Sequence, residues 1–252
     1  LSTAIPSAGM IVDFTMPAMG RTMAIFSMFS GYIVLISAAG ACETFIAGLC
    51  AEELFGINYK LFAAILLAIF LVVNLIGVEY LGQSQILLTS LKTATLAILG
   101  ILGLMQIGNV SPQLPVEFAP YGWTPVLTAM GGGIWLYIGI EYVCPMSEEV
   151  INPEKNIPKA MIAGICTIFV CDMLFGQAIV RYVPLESLAG SAVPQMLGAR
   201  TMFGTAGFVL LAVATIFSGA SAANSHMAGV PRMIYGLARD GMLPKFLAYP
   251  HP

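Results

Sequence analysis

The sequence predicts an all-α polytopic membrane protein, and three observations carry that prediction. The chain is 58% hydrophobic and only 9% charged, with a mean hydropathy of +0.90, whereas soluble domains carry about a quarter charged residues. Six apolar runs are long enough to cross a bilayer, which takes about 20 residues at 1.5 Å of rise each. The connections between them are short and polar, which leaves no room for a separate soluble domain. Each segment must then satisfy its own backbone hydrogen bonds, so one helical unit accounts for the pattern.

The runs follow in order. The first, residues 22 to 51, holds one acid near its middle, Glu43, and ends at "AEELFGINYK". The second, "LFAAILLAIFLVVNLIGV" at 61 to 78, contains no Asp, Glu, Lys or Arg, and "EYLG" leads out of it. The third, 82 to 107, contains Lys92, the only lysine or arginine inside any run. After "NVSPQLPVE" comes the fourth, 118 to 145, with Gly131, Gly132, Gly133, Gly139 and Glu141 inside it. The fifth, 160 to 180, carries Asp172. The sixth, 202 to 231, again lacks Asp, Glu, Lys and Arg. In it Ser218, Ser221, Asn224 and Ser225 recur at spacings of three and four, which puts much of that polar surface on one helix face. Such oxygens suit a cation, a buried lysine or ordinary interhelical bonds. His226 reads as a packed or hydrogen-bonded residue of that helix.

Loop charge sets orientation. One side receives Arg21, Lys155, Lys159, Arg232, Arg239 and Lys245, the other Lys60, Arg181 and Arg200, a ratio of six to three that makes the first side cytoplasmic. The net charge of -3 and the lack of a basic run exclude a nucleic-acid partner. Cys42, Cys50, Cys144, Cys166 and Cys171 show no metal-ligand spacing and read as small buried hydrophobes. No Ser-His-Asp set, metal site or phosphate loop appears, so neither an enzyme nor a cofactor is expected. The chain begins at Leu1 and stops at "YPHP" beside a charged segment. It reads as a single transmembrane domain cut from a larger protein: residues 1–20 a helix end and loop, 21–231 six spans, and 232–252 a cytoplasmic segment.

The fourth run is the costly one. Each glycine weakens a helix by about 1 kcal/mol relative to alanine, and an acid facing lipid costs more. Two readings account for it: a discontinuous helix whose freed amides and carbonyls meet a polar solute, or small-residue packing between helices.

A resemblance tips the balance. "IWLYIGIEYVCPMSEEVINPEKNIPKA" resembles the sixth segment of amino acid permeases of the amino acid/polyamine/organocation (APC) superfamily, with its "F-x-G-x-E" core and "E-E-V-x-N-P-x-x-x-I-P" tail. The matching positions are Ile138, Gly139, Ile140 and Glu141, then Glu148, Glu149, Val150, Asn152, Pro153, Ile157 and Pro158. "NSHMAGVPRMIYGLARDGMLP" is similar to the family's eighth segment, and "NLIGVEYLGQSQILLTSLK" to its fourth and fifth. The resemblance implies a LeuT-type fold of five-plus-five inverted repeats and identifies the six runs as segments three to eight, with segment one outside the chain.

It also implies roles. Backbone carbonyls of Ile138, Gly139 and Ile140 would meet a substrate amine, Trp135 would stack over the substrate, and Tyr137 would line the pocket wall. Glu141 matches an acid tied to proton response or gating, the alternative being a hydrogen bond that braces the break. Lys92 stands where proton-dependent relatives carry a lysine in place of a bound sodium ion. It is about ten residues, or ~15 Å, from the start of its run, far for a side chain to snorkel. Glu43, Asp172, Ser221, Asn224 and Ser225 are weaker candidates; either acid would pair with Lys92 or line a wet path. "INPEKNIP" is expected to start a helix with Pro158 near its first turn, and "ARDG" to end one.

The chain departs from the family in "PSAGMIVDF", where Met10 replaces a second glycine. That argues for a substrate outside the standard amino acids, such as the small amine ethanolamine. The expectation is a proton-coupled symporter of amino acids or small amines in an inner or plasma membrane. An exchanger of the same fold and a non-transporting sensor are the alternatives.

Overall fold

The computed structural model describes residues 11–76, 78–107, 119, 121–191 and 193–249, and every regular element among them is helical. Glycines and prolines set the corners. Helix α1 (Ile11–Ser27) turns at Gly20, whose φ of 81° and ψ of 171° are non-helical. It continues through a π-helical stretch, Met28–Leu35, into α2 (Ile36–Phe55). Gly56 closes α2 in the left-handed region and donates its N–H to the Glu52 carbonyl, a glycine C-cap. Asn58 Oδ1 then accepts the Lys60 and Leu61 amides, which opens α3 (Tyr59–Ile76) as an N-cap does.

Helix α4 (Val78–Leu104) is followed by α5 (Trp123–Gly133) and two 3-10 stretches, Ile134–Tyr137 and Ile140–Glu149. Helix α6 (Pro153–Tyr182) starts after Asn152, with Pro153 in its first turn. The expected Pro158 start therefore shifts five residues earlier, because Pro153 already sits where a missing N–H is harmless. A short α7 (Leu185–Ala189) leads to α8 (Pro194–Arg239), which bends at Gly204. Past its end Gly241 takes φ 71°, and the Met242 N–H donates to the Leu237 carbonyl at 2.9 Å. "ARDG" thus ends a helix as expected.

Five helical segments are long and apolar enough to cross a membrane: Val12–Phe55, Tyr59–Ile76, Gly82–Leu104, Pro153–Tyr182 and Pro194–Arg239. They contain the first, fifth and sixth expected runs and most of the second and third. The fourth run is the broken one. The chain is an integral, multi-pass membrane protein.

Helix α8 lies at the centre, because its small residues let neighbours approach closely. A Cβ on Gly219 would come within 2.6 Å of Ala47 Cβ and 3.0 Å of the Glu43 carbonyl. Leu99 of α4, Phe175 and Ile179 of α6, and Met202, Phe208 and Leu211 of α8 form one buried cluster. Val12, Ala24, Met28, Tyr142, Ile157, Met233 and Leu237 form a second toward the Arg239 end. The other face of α3 exposes Leu61, Ile65, Ile69, Val72 and Leu75, the apolar surface that a lipid-facing helix presents.

Candidate functional site

The break falls at one glycine. Gly131, Gly132 and Gly133 remain helical at the end of α5, whereas Gly139 takes φ 101° and ψ -12° between the two 3-10 stretches. A chain unwound there leaves backbone groups that need partners. Glu141 Oε2 accepts the Gly139 N–H at 3.0 Å, and the Tyr142 N–H donates to the Gly139 carbonyl at 3.1 Å. From the π-helical stretch, Tyr32 adds a side-chain hydrogen bond to Glu141. The carboxylate of Glu141 is therefore the brace of the break. π-Helical turns often mark functional positions, and this one delivers Tyr32.

Tyr137 and Ile140 are half-buried and Ile138 is exposed. Trp135 belongs to the Ile134–Tyr137 stretch, but its side chain lies outside the described residues. The side chain of Glu148 does so as well.

The second 3-10 stretch packs on α8 through Tyr142. A Cβ on Gly229 would fall 2.5 Å from the Tyr142 ring, so only glycine leaves room. That ring lies 5.3 Å from His226 and 6.4 Å from Tyr32, centroid to centroid. His226 Nδ1 is 2.6 Å from the Ala222 carbonyl, which only accepts, so Nδ1 is the donor of that bond. Both His226 Nε2 and Tyr142 Oη are buried and lack a partner among the described residues.

Lys92 does not snorkel. Its Nζ donates to Ser218 Oγ at 3.3 Å, and it lies within electrostatic reach of Glu43 and of Asp172. Glu43 is also within reach of His226. The structure thus bonds Lys92 of α4 to Ser218 of α8, with Glu43 of α2 and Asp172 of α6 within electrostatic reach.

Beyond Ser218 the polar face of α8 meets polar groups that sequence reading passed over. Ser221 Oγ accepts Gln85 Nε2 at 2.7 Å and lies 3.4 Å from Thr89 Oγ1. Asn224, fully buried, accepts from Asn74 at 3.2 Å and donates to Ser84 at 3.2 Å and Gln85 at 3.0 Å. Ser225 contributes to none of these bonds. A signal was present: Gln85, Thr89 and Lys92 recur at four and three, the same spacing that marked the face of α8.

The Arg239 end is tied by charge. Arg232 grips Glu149 with Nε to Oε1 at 2.9 Å and Nη2 to Oε2 at 3.1 Å, the fork geometry guanidinium favours. Arg21 Nη2 donates to the Gly241 carbonyl at 2.7 Å. Burial, and then the hydrogen-bonded Asp13 carboxyl, push Asp240 above the usual aspartate range against the pull of Arg239. Asp240 caps a helix C-terminus and Asp13 lies in a first helical turn. The dipole at that helix end adds to the push that favours a shared proton on Asp240.

An interrupted span, a lysine inside another and a polar face on α8 form one constellation, and a family model described as amino acid permease matches residues 1–252. The chain belongs to the amino acid permease family. This permease is 30% identical to the b(0,+)-type amino acid transporter 1 of Mus musculus over 99% of its own length and 53% of the relative's. It is 28% identical to an uncharacterized transporter of Rhizobium meliloti, over 78% of the permease chain and 43% of the relative. The methylthioribose transporter of Bacillus subtilis is 23% identical over 100% and 58%. The chain thus spans about half the length of the curated relatives it matches, 43% to 58% in these three.

Proposed function

We propose that the protein carrying this chain is a proton-coupled secondary transporter of amino acids or small amines, working by alternating access. The observation that carries the reading is the span interrupted at Gly139 and braced by Glu141, beside a helix pair that holds an ammonium within a membrane span. Carbonyls of Ile138, Gly139 and Ile140 meet the substrate ammonium, since unwound backbone supplies acceptors without a full charge. Trp135 and Tyr137 shape the wall over it. Lys92 takes the place of a bound cation by filling the same oxygen acceptors.

The printed names of the relatives, which include amino acid transporters and a methylthioribose transporter, support an organic solute and leave room for one that is not a standard amino acid. The basic loops place Arg21, Arg232 and Arg239 on the cytoplasmic side. The test is radiolabelled uptake by the full-length protein in proteoliposomes, screening amino acids and small amines with and without an inward proton gradient. Accumulation driven by the gradient and lost in Lys92→Ala is expected. Uptake that needs only internal solute and ignores Lys92 would make the protein an exchanger, and no flux for any solute would overturn transport.

A further inference from the structure

The bonds between α4 and α8 run in antiparallel register: Lys92 to Ser218, Thr89 and Gln85 to Ser221, Gln85 and Ser84 to Asn224. They differ in tightness. At the Lys92 end the contacts are 3.3 and 3.4 Å, whereas Gln85 bonds Ser221 at 2.7 Å and Asn224 at 3.0 Å. Asn224 has 0% exposure and takes partners from α3 and α4, namely Asn74, Ser84 and Gln85. Separating a buried carboxamide from three partners exposes each of them to an apolar surround, which is costly unless water enters.

Position gives these bonds a consequence. Gln85 lies seven residues from Lys92 toward Val78, about 10 Å along the helix, so the seam stands between Lys92 and the Arg239 end. A carboxamide neither loads nor releases a proton near neutral pH. Asn224 and Gln85 therefore block a path rather than relay along it.

We propose that Asn224 and Gln85 are positioning residues that close the α4–α8 seam beside Lys92, so that Lys92 reaches the solution on the Arg239 side only when the seam parts. This rests on the reading of Lys92 as the coupling residue. When the seam opens, water from the Arg239 side reaches Lys92, which keeps Ser218 as its neighbour. The groups facing Lys92 during that step are Glu43 from α2 and Asp172 from α6, with His226 of α8 acting on Glu43.

The test uses the full-length protein with its native cysteines changed to alanine and Ser221→Cys, 5% exposed in the seam, as the probe. A membrane-impermeant thiol reagent is applied from the Arg239 side. Slow labelling is expected in this background, and labelling about tenfold faster when Asn224→Leu or Gln85→Leu removes the amide bonds of the seam. Since the two residues share one bond, the double variant should be no faster than either single one. Restoring native Cys144, 4% exposed in the cluster toward the Arg239 end and away from the seam, gives a second probe that should stay slow in all variants, which separates seam opening from general loosening. Labelling within about twofold of the background in both single variants would overturn the closure. Uptake insensitive to Lys92→Ala alongside faster labelling would sink the coupling reading and with it the role of the seam in proton exchange. The same labelling with Lys92-dependent uptake supports both.

Discussion

Two alanine substitutions seven residues apart, at Gly132 and Gly139, should move stability in opposite directions. A Cβ on Gly139 meets nothing within 4 Å, so Gly139→Ala creates no clash and its cost is purely conformational. At φ 101° an L-residue sits in a sparsely populated region, which costs about 1–3 kcal/mol. Gly132 also faces open space but lies inside α5, where alanine gains about 1 kcal/mol over glycine. The two variants should therefore differ by roughly 2–4 kcal/mol, with opposite signs relative to the parent. The assay is the apparent melting temperature of each purified full-length variant in one detergent, read beside initial uptake rates. Gly132→Ala should melt higher with uptake near the parent's, and Gly139→Ala should melt lower with uptake reduced. A Gly139→Ala protein as stable and active as the parent would refute a left-handed break at this residue.

Three further predictions follow from the packing and charge. Gly229→Ala drives a methyl into the Tyr142 ring and should cost about 1–3 kcal/mol, relieved when Tyr142→Val is added; equal melting of the single and double variants would remove the contact. Arg232 and Glu149 are 23% and 35% exposed. A double-mutant cycle with glutamine at both sites should show about 1 kcal/mol of coupling at low salt and less in high salt; zero coupling at low salt would make the fork incidental. Asp240 has a raised pKa, so its protonated form is favoured in the fold. Its stabilising contribution is full below the ordinary 3.8 and is lost as pH rises through the raised value. Asp240→Asn should then raise the melting temperature at neutral pH and flatten its acid-range slope; an unchanged slope would exclude the shared proton.

Hydropathy alone determined that this chain spans a membrane, and roughly where, because the cost of placing a charge or an unbonded amide in hydrocarbon is local to each segment. Most of the run at 61 to 78 and all of that at 202 to 231 lie inside helices α3 and α8 for that reason, and the glycine-rich fourth run was legible as a weak helix. Which glycine yields was a tertiary decision. Gly131 to Gly133 stay helical, and Gly139 turns where Glu141 supplies a partner for its N–H. The polar face of α8 was visible as a spacing of three and four. Its occupants were not, since Asn74, Ser84, Gln85 and Thr89 find Ser221 and Asn224 from more than 130 residues away. Periodicity reports which face of a helix is polar, whereas only packing brings two such faces together around Lys92 and decides which residue each amide meets.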